Sequence, residues 1–328
     1  MKYLKKFQTN AQYQDYITDK TAHKPNVSYV TDDGEVFYTP LPTDYSKKYL
    51  TFEVKSAGTI TITATNGLTA KTINYSTDNG STWTALTTST TEQSFGDFAI
   101  GDKLLLKGDN AQYGNSTTRY NYFGGTAQVD VYGNIMSLIA GDNFETADTL
   151  TGDYTFAYLF KDNTNILSVE KLVLPATTLT DYCYSTMFQG CTSLTTAPEL
   201  PATTLAVACY STMFYLCTSL TTAPELPATT LANTCYANMF NGCTSLTTAP
   251  ELPATELIQS CYNNMFRNCS QLNYVKAMFT PDYQYGFTNY LANWLSGVSQ
   301  TGTFVKNINA LWSKTLVGIP SGWQVETE

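Results

Sequence analysis

The sequence predicts a mixed α and β, mainly β fold, in which a solenoid of 26-residue repeats follows an immunoglobulin-like or jelly-roll β-sandwich and a small N-terminal module. Three observations predict this class. A block that opens with Cys-Tyr returns every 26 residues from Cys183 to Cys261. Residues 46–150 are rich in β-branched residues between Gly- and Asn-rich turns. Charged residues are only 14% of the chain and aromatic residues 13%, which favours a packed core over disorder.

The composition also excludes several function classes. The formal net charge is -9, and a chain this acidic repels a phosphate backbone, so we expect no nucleic-acid partner. His23 is the single histidine, which leaves almost no room for a Ser-His-Asp enzyme or a His-rich metal site. We therefore expect no enzyme activity, no catalytic residues, no metal and no cofactor.

The N-terminus has positive charges but no apolar stretch of the length that a secretory signal requires. No apolar run approaches the ~20 residues of a membrane span. We expect a chain that is made in the cytosol, that either stays there or leaves by lysis or a dedicated machine, and that does not insert into a membrane.

Residues 1–45 are predicted to form the small N-terminal module. Gln8 to Ile17 could form a short helix, and Val27–Val30 and Glu35–Tyr38 flank an Asp-Asp-Gly turn, which is typical of a β-hairpin. The module is either an attachment element that docks on a larger assembly or a flap packed on the next domain, and the sequence leaves both open.

Residues 46–150 are predicted to form the β-sandwich, with strands at 51–55, 59–63, 103–107 and 127–131. Within this region Ser76–Trp83 resembles the Asp box of sialidases and many other β proteins. The resemblance implies a hairpin turn in which the Asp side chain caps backbone N–H groups and the Trp packs beneath. A single copy favours a structural turn over contact with a sugar.

Residues 151–275 are predicted to form the solenoid, with a worn first copy that starts near Leu159 and lacks the cysteines. The Cys-Tyr-x-x-Met-Phe stretch predicts a short helical turn, and Leu-Thr-Thr-Ala-Pro-Glu-Leu-Pro predicts a short extended segment. Stacking would place equivalent residues in buried columns. The columns are Leu194, Leu220, Leu246 and Leu272; Phe188, Phe214, Phe240 and Phe266; and, as a third candidate, Met187, Met213, Met239 and Met265.

The period lies within the range of leucine-rich repeats. The pattern Phe-x-x-Cys-x-Ser-Leu, followed by a short strand and Leu-Pro, resembles the BspA-like leucine-rich repeats of surface proteins from gut and oral bacteria. The resemblance covers Phe156 to Tyr274. Two departures are Met in place of the usual Ala before the Phe, and Ala197, Ala223 and Ala249 in place of the usual Ile. The resemblance implies an adhesion or protein-interaction surface, and the layout of the flanks resembles structural proteins of phages that infect gut bacteria.

All eight cysteines lie in the repeats and are predicted to belong to the core: Cys183, Cys191, Cys209, Cys217, Cys235, Cys243, Cys261 and Cys269. Because cysteine packs as a small hydrophobe, free buried thiols are expected. Neighbouring copies would also bring the columns within disulfide reach, so bridging stays an alternative.

The repeats also place identical polar residues in columns, and these are the candidate binding residues: Thr196, Glu199, Thr222, Glu225, Thr248 and Glu251. Such an array could recognise a glycan or a protein, although threonine also suits exposed strand positions for structural reasons. No basic residue lies between Lys171 and Arg267, so recognition of sulfated or phosphorylated polymers by charge is not expected.

Residues 276–328 are predicted to form a C-terminal cap, with a short amphipathic helix at Tyr290–Leu295. Three of the four tryptophans lie here: Trp294, Trp312 and Trp323. Covering the end of the solenoid is the favoured role for this segment, and ligand stacking on the tryptophans is the alternative.

Three functions fit the sequence. The first is a virion structural and receptor-binding protein of a gut phage, which contacts other virion proteins through residues 1–45, binds a host glycan or protein through the repeats, and is extracellular after lysis. The second is a bacterial cell-surface adhesin of the same repeat family. The third, supported only by the Asp box, is a carbohydrate-active enzyme or a glycan-binding accessory protein. Homo-oligomerisation is left open.

Overall fold

The computed structural model describes residues 5–6, 28–30, 36–38, 43–280 and 287–328. The chain divides into two compact units, Met1–Asp44 and Tyr45–Glu328. Strands dominate over helices among the described residues, so the predicted mixed, mainly β class is confirmed. The predicted boundaries at 150 and 275 fall inside the second unit and stay predictions.

The first unit contains a three-stranded sheet in the order β1-β2-β3. Its strands are β1 (Lys5–Lys6), β2 (Ser28–Val30) and β3 (Val36–Tyr38). Strands β2 and β3 pair antiparallel with Tyr29 opposite Phe37, which confirms the pairing that the predicted hairpin requires. The predicted helix at Gln8–Ile17 and the Asp-Asp-Gly turn lie outside the described residues.

The second unit carries fourteen strands and four short helices within the described ranges. The strands are β4 (Leu50–Ser56), β5 (Gly58–Ala64), β6 (Thr72–Ser76), β7 (Thr84–Thr87), β8 (Gln93–Phe98), β9 (Lys103–Lys107), β10 (Gly114–Ser116), β11 (Arg119–Gly125), β12 (Gln128–Asn134), β13 (Ile166–Ser168), β14 (Leu172–Val173), β15 (Tyr274–Ala277), β16 (Gly302–Lys306) and β17 (Trp323–Thr327). The α-helices are α1 (Ser137–Ala140) and α2 (Thr288–Leu291), and the 3-10 helices are Tyr45–Lys47 and Gly141–Thr146.

Residues 50–134, which we call the β region, contribute to two sheets. One has the order β10-β11-β5-β8, and the other has the order β13-β12-β4-β9-β6-β7 with β14 also paired to β12. The four strands predicted from alternation are present as β4, β5, β9 and β12. Inward side chains of the two sheets meet, as between Phe52 of β4 and Phe123 of β11, whose ring centroids are 5.1 Å apart. The shared apolar face positions both sheets.

The second sheet continues into the repeats. Strands β13 and β14 pair parallel with β12, whereas β12 pairs antiparallel with β4. The ring of Phe160, in the first repeat copy, stacks on Phe123 at 5.6 Å, so buried apolar side chains of the β region and the repeats are in direct contact.

The predicted helical turn at Cys-Tyr-x-x-Met-Phe is wrong. This stretch is instead a series of tight turns in which every fourth residue has a left-handed backbone, as at Tyr182 (φ 57°), Thr186 (φ 63°) and Gly190 (φ 73°). The same positions recur in each copy, including Leu216, at φ 59°. Apolar residues spaced three and four apart face one side in a helix and also in this turn series, so periodicity does not separate the two.

Hydrogen bonds explain why these turns persist. Alternate N–H groups close a turn or bond to the next copy: Cys183 N–H donates to the Thr180 carbonyl at 3.4 Å, and Tyr184 N–H donates to the Cys209 carbonyl at 3.0 Å. We call this set of turns the turn ladder; it comprises residues 154–162, 182–190, 208–216, 234–242 and 260–268. The ladder satisfies backbone polar groups between copies, which a buried segment requires.

Two aromatic columns run through the core of the ladder. The predicted phenylalanine column is buried, and its ring centroids are 5.5 Å apart between Phe188 and Phe214 and 5.7 Å between Phe214 and Phe240. A tyrosine column, which the sequence analysis did not identify, is equally buried and comprises Tyr184, Tyr210, Tyr236 and Tyr262. The predicted Leu and Met columns are buried as well.

The buried phenol of Tyr184 gives a testable prediction. Its hydroxyl has no hydrogen-bond partner among the described residues, whereas the equally buried Tyr113 donates to the Leu138 carbonyl at 3.1 Å. Because an unpaired buried polar group costs about 1–3 kcal/mol, Tyr184→Phe should raise the free energy of unfolding by about 1 kcal/mol. Tyr113→Phe is the matched control and should lower it. Urea denaturation of both variants checks the difference in sign.

The hydrogen-bond pattern of the ladder continues after the sequence repeat is no longer recognisable. Phe266 N–H donates to the Trp294 carbonyl at 2.9 Å, just as Phe240 N–H donates to the Met265 carbonyl at 2.9 Å. The helix predicted at Tyr290–Leu295 is displaced, since α2 ends at Leu291 and Asn293 is left-handed at φ 53°. Entry into the ladder therefore overrides helix formation. Strands β15, β16 and β17 then form a parallel sheet.

Candidate adhesion face

The six predicted binding residues, which we call the Thr–Glu face, lie on the extended segments that follow the turn ladder. Isolated parallel bridges join Thr196 to Ser168 and Thr222, and join Thr248 to Tyr274. Thr196 is half-buried, and Thr222 and Thr248 are exposed. The predicted extended segments are therefore present, but each pairs with a neighbouring copy through isolated bridges and not through a longer strand. Buried prolines such as Pro198 lack the N–H that longer strand pairing would need.

The three glutamates of this face are exposed, and each lies between two buried residues, as Glu199 does between Pro198 and Leu200. Their electrostatic surroundings differ. Glu251 lies 3.3 Å from the Lys276 ammonium, which is also 2.9 Å from Glu328. The hydrogen bond from Lys276 to Glu328 has the largest effect and raises the pKa of Lys276; desolvation opposes it, and the hydrogen bond to Glu251 adds a smaller rise. Among the described residues, Glu199 and Glu225 have no ion-pair partner, so the face keeps negative charge there.

Neighbouring threonines are engaged in structural hydrogen bonds. The hydroxyl of Thr195 donates to the Leu167 carbonyl at 3.0 Å, and that of Thr221 donates to the Thr195 carbonyl at 3.3 Å. Thr218 and Thr244 make equivalent bonds to the preceding copy. The structural explanation for threonine therefore holds for these columns. Of the predicted site, Thr196 is engaged too, with its hydroxyl 2.6 Å from that of Ser168.

The face can act chemically as a row of hydroxyl and carboxylate groups. Exposed hydroxyls donate and accept hydrogen bonds, and carboxylates accept them, which suits a polar partner rich in hydroxyl or amide groups. Throughout the described ranges, no group of three or more His, Cys, Asp or Glu side chains is arranged to hold a metal ion. In the same ranges no helix has the length and apolar character needed to cross a bilayer.

The eight cysteines lie in two buried columns, one within the turn ladder and one at the residues that follow it, and all eight thiols are free. The column that starts at Cys191 has a structural hydrogen bond that the sequence analysis missed. The Cys217 thiol donates to the Phe188 carbonyl at 3.0 Å, and the Cys243 thiol donates to the Phe214 carbonyl at 3.1 Å. These thiols link successive copies, so their spacing has a structural cause.

The Asp box forms the hairpin turn between β6 and β7 that the motif predicts. Asp78 accepts from the Thr82 N–H at 2.9 Å, from the Thr82 hydroxyl at 2.7 Å and from the Ser76 hydroxyl at 2.7 Å. Trp83 packs in a small cluster beside the turn, where the Lys107 ammonium lies 4.2 Å from its ring centroid and Tyr49 contacts its edge. One face of Trp83 is covered by Lys107, which favours the structural role of this motif.

Acid should loosen this turn. The hydrogen bonds from Thr82 and then Ser76 lower the pKa of Asp78 from 3.8 to about 2. A lowered folded-state pKa means that the stabilisation is present above pH 3.8 and is lost as the pH falls towards 2. Asp78→Asn should remove the pH dependence of the stability of this turn and should speed amide hydrogen exchange at Thr82. Hydrogen exchange followed by NMR measures the Thr82 rate and its pH dependence. Asp97→Asn, at an exposed position of β8, is the control. An unchanged Thr82 rate in Asp78→Asn would contradict the prediction.

Five half-buried tyrosines form a further candidate site that the sequence analysis missed: Tyr120, Tyr122, Tyr154, Tyr158 and Tyr182. We call them the tyrosine cluster. Two of them alternate on β11, and the others occupy left-handed positions of the turn ladder. Their spacings give no common sequence motif, because the ladder brings together residues that are 28 or more positions apart.

Comparison of the chain with protein-family models, with curated proteins and with solved structures finds no match.

Proposed function

We propose that residues 151–275 form a leucine-rich-repeat solenoid and that residues 46–150, which include the β region, form an immunoglobulin-like or jelly-roll β-sandwich. The turn ladder supports the solenoid, since each copy bonds mainly to its neighbours, as quasi-one-dimensional repeat proteins do. The two facing sheets support the sandwich, since inward residues from both meet in one core.

On this fold, we propose that the protein is a non-enzymatic adhesion protein that displays the Thr–Glu face to a glycan or protein on a target cell. The single observation that carries the proposal is the repetition of an exposed glutamate, three positions after a threonine, on adjacent copies that are joined by backbone hydrogen bonds. A rigid backbone that repeats the same polar groups offers several equivalent contacts, and multivalent contact strengthens weak binding.

The favoured setting is a virion structural and receptor-binding protein of a phage that infects gut bacteria, with the first unit, Met1–Asp44, as the attachment module. This setting follows from the resemblance of the layout to such proteins. A bacterial cell-surface adhesin would use the same face. Capsid and tail genes beside this gene would support the phage setting, and a cell-surface sorting sequence in the full gene would support the adhesin.

Binding to whole bacteria tests the adhesion function. Fluorescently labelled protein should bind a subset of strains in a panel of gut bacteria, and the Thr222→Arg/Glu225→Arg double variant should bind those strains at least about tenfold more weakly. Glu92→Arg, at an exposed position of the β region, is the matched charge control and should bind as the wild type does. Equal binding by the double variant, or binding to no strain, would contradict the proposal.

A further inference from the structure

The tyrosine cluster consists of two stacked ring pairs. The rings of Tyr120 and Tyr158 have centroids 4.1 Å apart and an interplanar angle of 12°, and those of Tyr154 and Tyr182 have centroids 4.6 Å apart and an angle of 4°. Tyr122 lies beside the first pair, with its ring centroid 6.1 Å from that of Tyr120. Because the stacks fix the rings, little side-chain entropy remains to be lost when a ligand binds.

The two pairs are linked through the first copy of the turn ladder, where Tyr154 and Tyr158 occupy successive left-handed positions. Burial raises the pKa of Tyr158, and the phenols of Tyr120 and Tyr182 raise it further, against an opposing hydrogen bond from Thr186. Burial also raises the pKa of Tyr154, with a further contribution from Tyr182 and Tyr158. These phenols are therefore neutral at physiological pH, and each can donate and accept a hydrogen bond.

The charges around the cluster are mostly negative. Asp153 and Asp181 directly precede Tyr154 and Tyr182 in the chain, and Asp181 is held in place because it accepts from the Val207 N–H at 2.9 Å. The Lys161 ammonium, which follows Tyr158 in the first copy, is paired with Asp162 at 2.6 Å. Two carboxylates that have no ion-pair partner among the described residues, Asp153 and Asp181, therefore stand next to cluster tyrosines, whereas the Lys161 ammonium is already paired.

We propose that the tyrosine cluster is a binding site for neutral glycans. A pyranose ring has an apolar C–H surface edged by hydroxyls, and half-exposed aromatic rings with phenol and carboxylate groups provide both kinds of contact. The excess of carboxylates disfavours sialylated and sulfated glycans. A protein partner would instead favour an apolar patch at the site. The cluster does not contain the most exposed large apolar side chains among the described residues, which are Leu311, Ile100 and Ile308.

This inference rests on the proposed adhesion function and names the ligand class, at a second surface besides the Thr–Glu face. An array of neutral, sialylated and sulfated oligosaccharides tests it with the full-length chain. The wild type should bind a subset of the neutral glycans, and Tyr182→Ala and Tyr120→Ala should each lower apparent affinity about tenfold, because aromatic residues dominate binding energy. Tyr182→Phe keeps the ring and should lose less. Tyr215→Ala, at a half-buried tyrosine outside the cluster, is the matched control and should bind as the wild type does.

Circular dichroism and urea midpoints identify variants that have simply unfolded. If Tyr182→Ala unfolds, Tyr182→Phe keeps the test valid. The proposal is overturned if no neutral glycan binds, if sulfated or sialylated glycans bind better, or if the cluster variants bind as the wild type does. If these failures occur while whole bacteria are still bound through the Thr–Glu face, the adhesion function stands and only the glycan site fails.

Discussion

Replacing Phe214 by alanine is expected to lower the free energy of unfolding by about 3–5 kcal/mol, the usual cost of removing a buried aromatic ring. Phe214 is fully buried and stacks on Phe188 and Phe240 at 5.5 and 5.7 Å, so its loss leaves a cavity between two copies of the repeat. Neighbouring residues cannot move in to fill this cavity, because backbone hydrogen bonds hold them in the turn ladder. Urea denaturation followed by circular dichroism measures the change.

Leu311→Ala is the control, since that side chain is 83% exposed and its loss should change the free energy of unfolding by less than about 0.5 kcal/mol. If Phe214→Ala does not fold, Phe214→Leu gives a smaller loss that can still be measured, of about 1–2 kcal/mol. A Phe214→Ala variant as stable as the Leu311→Ala variant would show that the column does not share a core.

Thiol titration is expected to give the second large effect. Unfolded, unreduced protein should react with eight equivalents of Ellman's reagent, whereas the native protein should react only as fast as it opens. Burial raises the pKa of Cys209, Cys261 and Cys269 to about 12, so the reactive thiolate is scarce in the folded state even apart from steric exclusion. The ratio of native to unfolded rates should be about 10⁻³ or lower.

The same thiols give a pH dependence with a defined sign. Their folded-state pKa lies above the ordinary value of 9.0, so the stability they contribute is full below pH 9 and falls as the pH rises from 9 towards 12. Cys209→Ala should weaken this loss. Finding no reactive thiol in the unfolded, unreduced protein would instead demonstrate disulfides, and eight rapid reactions in the native protein would contradict burial.

Local patterns were sufficient to predict much of the β region. Alternation of apolar and polar residues placed β4, β5, β9 and β12 within three residues of their observed bounds, because a half-buried strand leaves a two-residue period. The Asp box predicted its own turn, since all the groups that hold Asp78 lie within four positions of it.

The turn ladder was not predictable in the same way. Its three- and four-residue apolar spacing equals that of a helix, and only the bonds to the next copy, such as Tyr184 N–H to the Cys209 carbonyl, select the turns. The extra copy near Trp294 was hidden for a related reason. Trp294 occupies the hydrogen-bonding position of the Met residues, but the spacing to it departs from the repeat, so only the backbone pairing identifies the copy.

The sequence by itself determined the period, the buried columns of Phe, Leu, Met and Cys, and the exposed Thr–Glu face, because a repeat that buries one residue of each kind buries its copies too. Tertiary structure alone decided which hydroxyls are engaged and which tyrosines meet. Tyr120 and Tyr158 belong to a strand and to a turn that no local pattern connects, and they stack at 4.1 Å only because the β region and the first copy share a core. Contacts between distant parts of a chain depend on how the elements pack, and packing leaves no period in the sequence.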